Sequence, residues 1–240
     1  MRIGSVGAKR NTAMSLGTFI FLCGGNNPGQ ALDDVLDAGI VTDEKARDGG
    51  TGVHPTHCGV VFPPDVLLWR PLLSSIRPLL PPYSADDGMN DAAVLECSIR
   101  TGPDKVKRNG PQVNWLSWIM RGEGPADRAY ALTVNPTLAI SWDAAFTWST
   151  QQIASGAAYN IPELFGDLAG LGKPNPHSFV CSEFMWDMVN IGLGLLAGEG
   201  FGKSPQELLS RLIGDKPLFV ACEQFFGETA PLAGFVGVAK

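Results

Sequence analysis

The stretch that most restricts what this chain can fold into is the break and restart around residue 180. Lys173-Pro174-Asn175-Pro176-His177-Ser178 cannot continue a helix, because two prolines and an asparagine impose a loop. Beyond it, Phe184, Met185, Met188, Val189, Leu193 and Leu196 recur near helical spacing. That pattern predicts a helix packed into the core, with Ser178 as a candidate N-cap. Phe179-Val180-Cys181-Ser182-Glu183-Phe184-Met185-Trp186 is then the opening of this helix and puts Cys181 in its first turn. A thiol there faces unpaired backbone N–H groups and the positive end of the helix dipole, and both favour the nucleophilic thiolate. A cysteine buried merely as a small hydrophobe fits the same segment. The rest of the chain has to decide between them.

A chain of 240 residues, 45% hydrophobic and with mean hydropathy +0.07, can build a full core, and one domain with insertions is expected. The 29 glycines and 18 prolines, with no low-complexity tract or repeat, predict an α+β domain with long ordered loops. A net charge of −6, with no cluster of Lys and Arg, argues against nucleic acid as a partner. The five cysteines, Cys23, Cys58, Cys97, Cys181 and Cys222, are widely spaced and form no Cys-x-x-Cys pair. Neither a disulfide framework nor a zinc site is expected from that spacing, and a Cys58/Cys97 metal pair would want ligands that the sequence does not offer. No cofactor or metal is expected, and free thiols are.

Arg2, Lys9 and Arg10 precede the apolar run Met14 to Cys23, which mimics a short signal. Leu22 stands where a lipoprotein signal needs a small residue, and no small-x-small cleavage site follows. Thr18 to Cys23 therefore reads as a buried strand ended by Gly24-Gly25-Asn26-Asn27-Pro28. No apolar run approaches bilayer length. The expectation is an arm at 1–15, a single domain over 16–240, no signal peptide and no transmembrane segment. The expected location is the cytoplasm or a particle such as a virion or secretion machine.

Further along, a short acidic helix is expected from Gln30 to Asp37, and a strand from about His57 to Phe62, ended by Pro63-Pro64. Residues 63–91 hold Val66, Leu67, Leu68, Trp69, Leu72, Leu73, Ile76, Leu79 and Leu80, cut into pieces by Pro71, Pro78, Pro81 and Pro82. An insertion of this kind covers a cleft, meets a partner chain or another copy, touches lipid, or forms a satellite core. Ala92 to Ser98 reads as a strand that carries Glu96 in an apolar run, where a carboxylate must be paired, hydrogen-bonded or neutralised. A Gly/Pro-rich turn over Thr101–Pro111 and an aromatic segment with Trp115 and Trp118 are expected next, then a strand over Asp127–Val134. Pro136 is expected to open a helix running to about Ser155, and Gly156 to Pro162 to break it. A short helix at about 162–170, a helix starting at Ser204-Pro205-Gln206-Glu207, and strands at Leu218–Cys222 and Phe235–Val238 complete the reading.

His57 at a strand start, Glu96 on the next strand and Cys181 at a helix start can form a nucleophile–base–orienter set. His57 and Glu96 meet only if both face the same side of the sheet. His54, before Pro55, is the rival base, and His177 flanks the cysteine helix. His57-Cys58-Gly59-Val60-Val61, Val94-Leu95-Glu96, Gly156-Ala157-Ala158-Tyr159-Asn160 and Val180-Cys181-Ser182-Glu183-Phe184 resemble, in this order, the circularly permuted NlpC-type papain-like cysteine hydrolases of the YiiX-like group. Leu16 to Phe21 resembles that family's opening strand, and Ser204 to Leu208 its helix after the cysteine, so the likeness spans 16–222 as short islands. The resemblance implies a permuted papain-like fold: a central, mostly antiparallel sheet packed against helices, with the cysteine at a helix N-terminus. It implies Cys181 as nucleophile, His57 as base, Glu96 as orienter, and Tyr159 with Ser182 on the substrate and oxyanion side. The loop before His57 and the insertion at 63–91 are larger than the family pattern.

The expected activity is hydrolysis of an amide, in a peptide or a peptidoglycan cross-link, through an acyl-enzyme. Two rivals stand beside it. A lipid or acyl-ester hydrolase or acyltransferase is one, since the likeness extends to lecithin:retinol acyltransferase-like proteins and the insertion is apolar. The other is a non-catalytic assembly protein that retains the fold, with 63–91 and the basic arm as partner surfaces.

Overall fold

The structure, a computed structural model, describes residues 18–23, 55–62, 77–82, 93–115, 118–119, 128–134, 138–161, 178–194, 208 and 219–224. β-Branched, aromatic and alternating runs between Gly/Pro breaks form the strands β1 (Thr18–Cys23), β2 (His57–Phe62), β3 (Ala93–Thr101), β4 (Lys107–Trp115) and β5 (Arg128–Val134). Two-residue strands β6 (Ala158–Tyr159) and β7 (Ser178–Phe179) follow, then β8 (Phe219–Gln224). Among the described residues the longer helices are α1 (Trp142–Ala154) and α2 (Cys181–Gly192). Among the described residues, six strands form one sheet in the order β4-β3-β2-β1-β5-β8, with every neighbouring pair antiparallel. β6 and β7 pair in parallel as a separate ribbon. The architecture is α+β, an antiparallel sheet packed against helices.

Strand alternation gives the β2–β4 region two different faces. On one, Cys58, Val60, Leu95, Cys97 and Val113 join Phe146 of α1 and Cys181, Phe184, Met185 and Met188 of α2 in a single buried cluster. Rings of Trp148, Phe179 and Phe184 stack or meet edge-on there, with centroids 5.4–5.7 Å apart. The other face carries His57, Glu96, Ser98, Arg100, Gln112 and Asn114, all buried although all are polar.

Five local expectations are corrected. The turn expected over Thr101–Pro111 is shorter, and β4 occupies its second half. Lys105 N–H donates to the Gly102 carbonyl at 3.0 Å, and Gly102 N–H to that of Val106 at 2.9 Å, with Lys105 at φ 62°, so only residues 102–106 turn. Pro111 sits inside β4 because β4 is a sheet edge, where a missing N–H costs no ladder bond. Gly110 has φ 116°, and any side chain there would strike the Ala157 carbonyl oxygen.

Helix α1 starts at Trp142 rather than Pro136, because Ser141 Oγ accepts from Ala144 N–H at 3.3 Å and caps it. Ser178 does not cap α2. It pairs with Ala158 in the β6–β7 ribbon, and Val180 holds the cap position without a side-chain bond. The same ribbon replaces the plain break expected at Gly156 to Pro162. The buried stripe of α2 ends before Leu193, which is 43% exposed.

Within the insertion at 63–91, Arg77–Leu79 forms a 3₁₀ turn, Leu79 and Leu80 pack on the core, and the Pro81 carbonyl accepts from Trp115 Nε1 at 2.9 Å. This piece is docked as a satellite of the core. The rest of the insertion lies outside the described residues, as do the arm, the acidic helix, His54, His177, the helix expected at 162–170 and the strand at Phe235–Val238. Of the helix expected from Ser204, only Leu208 is described, helical and buried. No helix among the described residues is long and apolar enough to cross a membrane.

Candidate functional site

The register of β2 against β3 brings two of the expected residues together. Gly59 lies directly opposite Glu96, and His57, two residues earlier, shares that face. His57 Nε2 lies 2.6 Å from Glu96 Oε2, and a side chain at Gly59 would strike Val94 and the Leu95 carbonyl oxygen.

Glu96 is fully buried, and its other oxygen is also occupied: Oε1 accepts from Asn114 Nδ2 at 2.7 Å and from Arg100 Nε at 3.2 Å. Asn114 Nδ2 also donates to Gln112 Oε1 at 3.0 Å. Gln112 Nε2 in turn donates to the Ser98 carbonyl at 2.8 Å and the Ser98 hydroxyl at 2.9 Å. Burial alone would raise the Glu96 pKa, but the positive charge of Arg100 and the bonds from His57 and Asn114 outweigh it and hold the carboxyl down to about 2. The carboxylate in the apolar run is therefore ionised and multiply paired.

Cys181 is the first residue of α2 and 2% exposed. The side chains of Cys58 and His57 and the Cys58 backbone all act on its sulfur. The bond from the Cys58 thiol, against opposing burial and together with the His57 bond and charge, holds the Cys181 pKa well below that of an ordinary thiol. Burial works to lower the His57 pKa, yet hydrogen bonds to Cys181 and Glu96 and their negative charge push it up to about 10. The two shifts run together toward a thiolate beside an imidazolium, with the carboxylate behind the ring. Cys58 itself stays protonated, because burial and the neighbouring thiolate push its pKa well up.

The structure joins His57 to Glu96 by a hydrogen bond and sets Cys181 where it acts on the imidazole. Tyr159 lies in β6 opposite Phe179, two residues before the cysteine, and its backbone N–H donates to Asn109 Oδ1 at 3.1 Å. Ser182 follows the cysteine but is fully buried, and its hydroxyl has no hydrogen-bond partner among the described residues. Cys97 turns its thiol to the Phe179 carbonyl at 3.3 Å.

Sequence reasoning missed Arg100, Asn114, Gln112 and the contact of Cys58 with the nucleophile. The period-two alternation of Gln112, Val113 and Asn114 was the available signal, hidden beside Gly110-Pro111. Among the described residues, no group of three or more His, Cys, Asp or Glu side chains is arranged to hold a metal ion. No protein-family model, no curated protein and no solved structure matches the chain.

Proposed function

We propose that the chain is a cysteine hydrolase with a circularly permuted papain-like arrangement, which cleaves an amide bond in a peptide or peptidoglycan cross-link through an acyl-enzyme on Cys181. One observation carries the reading: a helix-start cysteine and a histidine that shift each other's proton affinity, with the histidine Nε2 2.6 Å from a buried carboxylate. The chain order of histidine strand, carboxylate strand and cysteine helix supports the permuted arrangement.

In this mechanism the Cys181 thiolate attacks the carbonyl carbon, and the helix-start N–H groups stabilise the oxyanion, with Tyr159 and Ser182 at the edge of that site. The His57 imidazolium gives its proton to the departing amine, leaving a thioester and a neutral ring. The neutral ring then takes a proton from water as it attacks the thioester, which releases the acid and restores the ion pair. Glu96 holds the ring's orientation and stabilises the imidazolium. Arg100 and Asn114 keep Glu96 ionised and still.

Cys181→Ala is expected to abolish turnover of peptidoglycan-derived peptides while leaving the circular dichroism spectrum unchanged. Turnover retained in that variant contradicts the mechanism. The near-complete burial of Cys181 favours one second reading, a non-catalytic assembly protein. A panel of cell-wall peptides, short peptides and lipid esters separates the readings: hydrolysis of esters alone selects the acyl-ester enzyme, and no turnover of any class selects the assembly protein.

A further inference from the structure

We propose that Cys58 is a resolving cysteine for Cys181: a peroxide oxidises the nucleophile, and the two sulfurs then join in an intramolecular disulfide that silences the site reversibly. The inference rests on Cys181 being the thiolate of the proposed mechanism.

Cys58 follows His57 on β2, so its side chain leaves the opposite face of the strand and enters the apolar cluster that also holds Cys181. Both thiols are buried in that one cluster, and the Cys58 thiol is the first influence on the Cys181 sulfur. Cys58, Cys97 and Cys181 are all free and buried. Cys97 is engaged elsewhere, its S–H pointing at the Phe179 carbonyl 3.3 Å away. The three thiols therefore divide by role. Cys181 is charged and attacks an oxidant, Cys58 is protonated and waits beside it, and Cys97 is tied to backbone. The hydroxyl of a serine would cap the Cys181 thiolate as well as a thiol does, but only a thiol can trap its oxidised form.

The co-reactant is hydrogen peroxide or another hydroperoxide. The Cys181 thiolate attacks one peroxide oxygen, the O–O bond breaks, and the departing hydroxide takes the His57 proton to become water. Cys181 is then a sulfenic acid. The Cys58 sulfur attacks the Cys181 sulfur, an S–S bond forms as the S–O bond breaks, and hydroxide leaves with the Cys58 proton as a second water. Two thiols have lost two electrons and one peroxide has become two waters. Closing the sulfurs to about 2.05 Å draws β2 and the start of α2 together, two elements already packed on each other. A dithiol reductant reverses the bond by exchange.

The test is peptide mapping of the whole chain after brief exposure to hydrogen peroxide, with free thiols capped by iodoacetamide in denaturant. A Cys58–Cys181 linked peptide and near-complete recovery of Cys181 labelling after dithiothreitol are expected. Cys58→Ser and Cys58→Ala, two variants in case one fails to fold, are expected to accumulate Cys181 sulfenic acid trapped by dimedone. They then pass to sulfinic acid that dithiothreitol does not recover. Cys181 sulfinic acid in the wild type without the linked peptide, or a Cys97–Cys181 link instead, overturns the inference and leaves the nucleophile standing. A Cys181 that peroxide does not touch overturns both.

Discussion

Glu96 with Arg100, in the buried part of the β3–β4 hairpin, and Asp104 with Arg108, at its tip, are both ion pairs spaced four residues apart. By geometry the tip pair is better: Arg108 grips Asp104 with two nitrogens at 2.9 and 2.6 Å, whereas Arg100 offers Glu96 one at 3.2 Å. Both carboxyls are held down to about 2, Asp104 first by its Arg108 bonds and Glu96 by Arg100 against opposing burial. Their surroundings differ. The tip side chains are 16% and 27% exposed, so water competes for each, while the inner pair is 0% and 8% exposed and surrounded by His57, Asn114 and Gln112. A low carboxyl pKa at the tip reports a local clasp. The same value in the interior reports a buried network centred on the Glu96 carboxylate, which His57, Arg100 and Asn114 all reach.

The largest effect expected from this comparison is at Glu96. Glu96→Ala removes the carboxylate that Arg100 and His57 share, and a loss of about 3–5 kcal/mol in chemical denaturation is expected. A loss below about 1 kcal/mol would erase the distinction between the two ends. The pH dependence follows from the same groups. Glu96 falls from its ordinary 4.5 to about 2 in the folded chain, so between those values the unfolded state binds more protons and stability falls as pH falls. His57 rises from 6.5 to about 10, so its contribution is complete below about 6.5 and is lost as pH climbs through 10. Glu96→Gln is expected to flatten the acid limb of the stability–pH curve; an unchanged limb would assign acid loss to other carboxylates.

Between the two ends sits Gly110, whose φ of 116° and contact with Ala157 hold β4 against the β6–β7 ribbon. Gly110→Ala is expected to cost about 1–3 kcal/mol, read as a lowered midpoint in thermal or urea unfolding. The smallest effect belongs to the tip. Asp104→Ala is expected to cost no more than about 1 kcal/mol, shrinking further at high salt. If the tip variant loses more than the Glu96 variant, the comparison is reversed.

The parts of this molecule that were legible in sequence are those set by local chemistry. The limits of β1 and β2 follow from the apolar runs and the Gly/Pro stops beside them, and the start of α2 from the proline loop before Phe179. His57 and Glu96 were visible because a histidine at a strand start and a carboxylate in an apolar run each demand an explanation. Pro111 hid β4, since a proline inside a strand is allowed only where that strand is an edge, and edge position is a property of the sheet. Ser178 looked like a cap until its pairing with Ala158 is known, and that partner lies 20 residues away in the chain. Arg100, Asn114 and Cys58 belong to the site through register and face, and register is set by long-range pairing rather than by neighbours in sequence.

The most direct test of the thiolate–imidazolium pair is the pH dependence of iodoacetamide alkylation, followed by mass spectrometry at each of the five cysteines. Cys181 is expected to react fastest, at a rate flat through neutral pH that falls only in acid as the thiolate takes up a proton. His57→Ala is expected to shift that dependence up toward an ordinary thiol, near pH ~8.5. A Cys181 whose alkylation rises with pH like that of the other cysteines, and which ignores the loss of His57, would contradict an activated nucleophile at this site.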